Sequence, residues 1–253
     1  MFFHRKELMF PVKVETPTPA FGQMLLEQFG GATGELTAAL QYWVQSFHVE
    51  QPGLRDMLQD IAFEEFSHLE MVGKLIELHT ARTDQEPAFA SPLFRIRGIG
   101  PHLVDAAGQA WTAAYINEGA NVVRDLRADI AAEAGARQTY ESLVKAAPDP
   151  GSKKALTFLL TREIAHTHMF MKALDSLGKL TEPRFGTAEP DETVKLYFNL
   201  SKGDGGDWRG PWNRDPDFDY VAQPAPKGGL MERVVNPDDE RTKPRNTEAQ
   251  PQP

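Results

Sequence analysis

Two stretches of the chain carry apolar residues in a strict 4–3 alternation. Leu54, Leu58, Ile61, Glu65, His68, Val72, Leu75 and His79 fall on one stripe of a helix, and Leu156, Leu159, Glu163, His166, Phe170, Ala173 and Leu177 fall on another. Each stripe is interrupted at its midpoint by a Glu and a His three residues apart. The full pattern predicts four long helices, over about 19–48, 54–80, 118–147 and 150–178. No proline lies between Ala20 and Gln51. Pro52-Gly53 separates the first two helices, Pro148-Asp149-Pro150 the last two, and Gly178 suits the position just past a helix end.

Those tight breaks make each helix pair an antiparallel hairpin. The segment 81–117, with three Pro and several Gly, is too long for a turn and is expected to cross the bundle. Two hairpins joined by one long crossover is the ferritin-like arrangement, so the expected fold is all-α, a ferritin-like four-helix bundle over 19–180. An arm at 1–18 precedes it and a tail at 181–253 follows. The tail holds 10 of the 19 Pro and 7 of the 20 Gly, shows no sustained apolar period, and is expected to be disordered at NPDDERTKPRNTEAQPQP. Nothing in the chain reads as a sheet.

The interrupted stripes carry the chemistry. A carboxylate buried in an apolar seam costs several kcal/mol unless it is paired, protonated or bound to a metal. The first and third helices each supply a further inward Glu: Glu35 stands one heptad before Tyr42, and Glu133 lies midway between Leu126 and Tyr140. Moreover, Glu35, Tyr42, Glu65 and His68 each have a like residue 98 positions on, at Glu133, Tyr140, Glu163 and His166. Two hairpins related by a pseudo-twofold would gather four Glu and two His at mid-bundle. That is the set a carboxylate-bridged dinuclear metal site requires: one Glu from each of two helices and E-x-x-H from each of the others. One E-x-x-H by itself is usually a solvated face, and Tyr42 and Tyr140 alone would be ordinary core tyrosines. Two such pairs in apolar seams, with partner glutamates at equal spacing, point to metal. His168 faces away from His166. His4, His48, His79 and His102 fall in the arm, at helix ends or in the crossover, and all five are expected to be structural or superficial. Glu64 points about 100° away from Glu65 around the helix and is expected to be solvated.

Composition narrows the remaining choices. The 253 residues carry a formal charge of −9 with no basic stripe, which argues against nucleic acid as a partner. No apolar run reaches the roughly 18 residues a membrane helix needs. Charges in MFFHRKELMFPVKVE argue against a secretory leader, so a cytoplasmic location is expected. With no Cys, disulfides, thiolate zinc sites, iron–sulfur clusters and thiol nucleophiles are excluded.

The local sequences FGGATGELTAALQYWVQSF, AFEEFSHLEMVGKLI, DLRADIAAEAGARQTYESL and LTFLLTREIAHTHMFMKAL, with NLSKGDGGDW in the tail, resemble the non-haem manganese catalases over residues 1 to about 215. The resemblance implies disproportionation of hydrogen peroxide to water and dioxygen. It implies two manganese ions per subunit, no haem, and ligands at Glu35, Glu65, His68, Glu133 and His166, with Glu65 as the bridge. Spacing alone would make Glu163 a sixth ligand, whereas the resemblance makes it an acid/base group beside the open face. Tyr42 and Tyr140 would then hold ligand carboxylates in place. Ala132 stands where some family members have an Arg that closes off the cluster, which implies a more open site here. The resemblance also implies one calcium ion, taken by Asp56, Asp60, Asn199, Ser201 and Gly203, and a homo-oligomer, a hexamer. Association of subunits, though not its size, is also expected because the arm and tail, with little core of their own, would pack across subunits. The alternatives are an iron-sequestering ferroxidase cage and a structural relative in spore coats. Metal identity comes from the resemblance, because manganese is at the weak end of the divalent affinity order.

Overall fold

The computed structural model describes residues 3–81, 91–201 and 218–221. Six α-helices run in the order α1 Pro19–Gly30, α2 Glu35–Ser46, α3 Pro52–Thr80, α4 Pro92–Arg97, α5 Val122–Ala146 and α6 Pro150–Ser176. Proline opens α1, α3, α4 and α6, where its missing N–H is not needed. Two long helices also have side-chain caps: Asn121 accepts from the Arg124 N–H at 3.0 Å to start α5, and Asp149 accepts from the Ser152 N–H at 2.9 Å to start α6. Here α5 packs on α6 and α3 packs on both α1 and α2, so the two hairpins face each other as a four-helix bundle with α1 and α2 sharing one corner. The fold expected from the seam pattern is the one found.

The first predicted helix, 19–48, is in fact two helices. The chain leaves α1 after Gly30, passes through Gly31–Gly34 and re-enters a helix at Glu35. Close approach explains the break: a Cβ on Gly30 would lie 2.6 Å from the Val104 carbonyl oxygen of the crossover, and one on Gly34 would lie 2.7 Å from the Gln28 carbonyl oxygen. The break places Glu35 in the first turn of α2, where the positive end of the helix dipole favours a carboxylate. The counterpart helix α5 has no such glycines at 129–132 and runs unbroken. It also begins at Val122 rather than 118, because Asn121 caps it.

The apolar interior is divided in two. One cluster gathers Phe21, Leu25, Leu75, Ile76, Tyr140 and Leu156 with their neighbours; the other gathers Tyr42, Leu58, Ile61, Leu126, Phe170 and Leu174. Between them, in sequence and along the bundle axis, fall the polar midpoints of the seams. The arm also has a place of its own. Leu8, Phe10, Val12 and Val14 pack partly buried against the first cluster, and Phe10 stacks on Phe158 with ring centroids 4.6 Å apart. These arm residues therefore cover part of their own bundle.

The chain divides into two compact units, 1–186 and 187–253. The bundle lies wholly in the first. Within the second, strands β1 Leu196–Phe198 and β2 Asp219–Val221 pair in parallel, and the Asn199 N–H extends the ladder to the Val221 carbonyl at 3.0 Å. This small sheet was not legible in the sequence, since three-residue strands carry no period. The remainder of the tail, including the segment expected to be disordered, and residues 82–90 of the crossover lie outside the described residues.

Candidate metal centre

Glu65 and His68 come from α3, Glu163 and His166 from α6, Glu35 from α2 and Glu133 from α5, and every one of the six is buried to 2% exposure or less. The six side chains that sequence spacing singled out thus converge at mid-bundle. They form two overlapping groups: Glu35, Glu65, His68 and Glu163 in one, Glu65, Glu133, Glu163 and His166 in the other, with ligand atoms within 4.8 Å of one another in each. Glu65 lies between the imidazoles, its Oε2 2.9 Å from His68 Nδ1 and its Oε1 2.7 Å from His166 Nδ1. Glu35 Oε2 and Glu163 Oε1 approach His68 Nδ1 at 3.6 and 3.5 Å, and Glu133 Oε1 approaches His166 Nδ1 at 3.7 Å. The two rings stack with centroids 5.6 Å apart.

The tyrosines fasten the halves reciprocally. Tyr42 on α2 donates to Glu133 Oε1 on α5 at 2.6 Å, and Tyr140 on α5 donates to Glu35 Oε1 on α2. Burial and the facing glutamates hold both phenols well above their ordinary range, so they remain donors.

The electrostatics are those of an overfilled carboxylate cage. Burial, with the charge of Glu65 next, pushes Glu35 up to about 8; burial and the charges of Glu65 and Glu35 do the same to Glu163. Glu133 is raised well above the usual carboxylate range by burial and by Glu163. Burial also works against ionised Glu65, but the two imidazoles outweigh it and draw that carboxyl below its ordinary range. Several buried atoms have no hydrogen-bond partner among the described residues, including Glu65 Oε1, Glu133 Oε2, Glu163 Oε1 and His166 Nδ1. An unpaired buried polar atom costs about 1–3 kcal/mol, more when charged. Oxygen and imidazole donors clustered at this density, with orphaned atoms aimed at one another, fit a pair of divalent cations.

Glu64 departs from the expectation of a solvated side chain. Its carboxylate is 15% exposed and takes a fork from Arg162, with Nε to Oε1 at 2.5 Å and Nη2 to Oε2 at 3.4 Å. Position 162 is 98 residues beyond position 64, so the internal repeat could have indicated this pairing. Two further buried polar residues were not marked out by the seam pattern: Asp129, one turn before Glu133, and Gln41, which donates to Asp129 Oδ1 at 2.9 Å. Burial pushes Asp129 up to about 8. Ala132 lines a cavity of about 230 Å³ that also reaches Tyr42, Glu133 and Gln41, consistent with an accessible face where an Arg is missing.

The other histidines are as expected. His168 is exposed, His4 pairs with Glu70, His48 lies 3.7 Å from Glu118, and His102 bonds the Gly98 carbonyl. His79 is buried at the bundle end between the Thr18 N–H and the Ser152 hydroxyl. Of the residues expected to hold calcium, Asp56 and Asp60 are exposed on α3, Asn199 and Ser201 follow β1 in the second unit, and Gly203 lies outside the described residues.

Fold and site together define a ferritin-like helical protein with a carboxylate- and imidazole-lined dinuclear centre. The chain belongs to the manganese-containing catalase family, whose pattern matches residues 1–249. It is similar to the crystal structure of KatB, a manganese catalase from Anabaena PCC7120, with a TM-score of 0.85 and 66% identity over 88% of this chain and 100% of that one. It is 38% identical to a probable manganese catalase of Clostridium acetobutylicum, over 79% of this chain and 91% of that protein. It is 29% identical to the manganese catalase of Lactiplantibacillus plantarum, over 95% of this chain and 98% of that one.

Proposed function

We propose that this chain disproportionates hydrogen peroxide to water and dioxygen at a pair of manganese ions held by Glu35, Glu65, His68, Glu133 and His166. The observation that carries the reading is the pair of buried ligand groups sharing Glu65, whose two oxygens face one imidazole each. When bound, the metal pair would supply the two-electron exchange by which one peroxide is reduced to water and another oxidised to dioxygen.

The chain's own residues handle position and protons. Glu65 spaces the two imidazoles. Tyr42 and Tyr140 hold Glu133 and Glu35 by donating to one oxygen of each, which leaves the other oxygen free. Glu163, buried among the neighbouring carboxylates, is placed to give or take a proton at its carboxyl oxygens as peroxide is bound and split. The apolar clusters on either side keep bulk water from the centre. The cavity beside Ala132 is large enough for peroxide and reaches Tyr42 and Glu133, which supports entry from that side.

A calcium site, a hexameric assembly and a cytoplasmic location belong to the same reading and rest on family resemblance. No helix among the described residues is long and apolar enough to cross a membrane. The test is metal analysis of the purified chain beside oxygen evolution from peroxide. Manganese with gas release supports the proposal; iron with no gas release overturns it. A hollow many-subunit particle would favour iron storage instead.

A further inference from the structure

The two ligand imidazoles present Nδ1 to the carboxylate cage, so their Nε2 atoms point outward. Both Nε2 atoms are buried and neither has a hydrogen-bond partner among the described residues. One acceptor group stands before both. Glu64 Oε1 lies 3.5 Å from His68 Nε2, and Glu64 Oε2 lies 3.3 Å from His166 Nε2. A single carboxylate therefore spans histidines from opposite hairpins, one oxygen to each. We propose that Glu64 is a positioning residue that takes the outer N–H of both ligand histidines and so fixes the two imidazoles together. The proposal rests on the reading of His68 and His166 as metal ligands.

The chemistry follows from imidazole itself. A neutral ring carries one proton, and the nitrogen that meets a cation must be the bare one. With Nδ1 facing the cage, the proton belongs on Nε2, and a carboxylate at Nε2 selects that tautomer, fixes the ring plane and strengthens the opposite nitrogen as a donor. Usually each histidine has its own partner. Here the partner is shared, so a displacement of Glu64 is felt by both ligands at once.

Arg162 braces the shared arrangement without taking part in it. Glu64 and Arg162 occupy equivalent places in the internal repeat, each immediately before an E-x-x-H pair and 98 residues apart. A symmetric repeat would put like residues at both, either two carboxylates or two guanidiniums in repulsion. The opposite charges instead form a fork across the pseudo-twofold, which anchors the carboxylate midway between the rings. The Arg162 side chain is about one-third exposed, so its part is to orient Glu64 rather than to neutralise the cage.

The experiment uses the manganese-loaded full chain and its variants Glu64→Gln, Glu64→Asp and Arg162→Gln. The rate of manganese release to a chelator is measured for each, with the unfolding temperature of each metal-depleted chain. The proposal expects Glu64→Gln to speed release by roughly 10- to 100-fold. Arg162→Gln, which leaves the carboxylate in place, is expected to have a much smaller effect, although both variants break the same ion pair and lower the unfolding temperature alike. Glu64→Asp keeps the charge but withdraws it by one methylene and is expected to fall between them; it also serves if Glu64→Gln does not fold. Release at the wild-type rate from whichever Glu64 variants fold overturns the clamp, as does equal acceleration by Glu64→Gln and Arg162→Gln. A wild-type chain that takes up no manganese overturns the metal site and the clamp together, which separates the two failures.

Discussion

Two of the polar clusters buried in the bundle are built on opposite rules. At its end, His79 accepts from the Thr18 N–H at 3.1 Å and meets the Ser152 hydroxyl at 3.0 Å, while Ser152 donates to Asp149 at 2.9 Å. No side-chain atom of His79, Ser152 or Asp149 is left unpaired. At its middle, four carboxylates and two imidazoles crowd one another with several atoms orphaned. The same residue types thus give a closed structural lock in one place and an unsatisfied cage in the other. A closed network stabilises the fold on its own, whereas an open one is tolerable only when a cation completes it.

That contrast predicts where substitutions are felt. Glu65→Gln carries the largest expected effect: metal content falls below the wild-type level and oxygen evolution disappears with it, checked by elemental analysis and an oxygen electrode. Full activity in that variant would show the cage to be wrongly assigned. Glu163→Gln is next, with both metals retained and turnover lowered by roughly 10²- to 10⁴-fold; loss of metal instead would return Glu163 to the ligand set, where spacing alone places it.

Substitutions at the lock are expected to act on stability and leave turnover per bound metal unchanged. Burial holds His79 down at about 4, below the ordinary 6.5 of an imidazole, against the opposing charge of Asp149. The folded state thus disfavours the charged form, so this contribution is present above pH 6.5 and is lost as pH falls through about 4. Between those limits the wild type is expected to lose about 3 kcal/mol more than His79→Gln, measured as denaturant midpoints at each pH. Ser152→Ala, which unpairs one nitrogen of His79, is expected to cost about 1–3 kcal/mol at neutral pH. A change in turnover in either lock variant would blur the distinction between the clusters.

The lock and the cage were not equally legible. His79 sits at the last step of the same 4–3 stripe as Glu65 and His68, and nothing in that stripe separates a ligand from a capping partner. The repeat made the difference: position 177, the counterpart of His79, is Leu, whereas the counterparts of Glu65 and His68 are again Glu and His. The place of Glu64 was hidden in the sequence for a physical reason. A residue 100° off the seam is solvent-facing on an isolated helix, and only the approach of α6, bringing Arg162 and His166, turns that position inward.

The sequence by itself determined the four-helix pattern, the hairpin breaks and the six polar midpoints, because periodicity, proline and helix caps are local properties. It also pointed to a cation at mid-bundle, since apolar seams do not accept carboxylates without a partner. Tertiary structure decided the rest. Gly30 and Gly34 break the first helix because the chain approaches them too closely for a side chain, and the neighbour at Gly30 is Val104, 74 residues away. Tyr42 reaches Glu133, and Tyr140 reaches Glu35, across hairpins that meet only on folding. The shared carboxylate of Glu64 likewise exists only where two helices converge, because its acceptor geometry is a property of their packing and of neither helix alone.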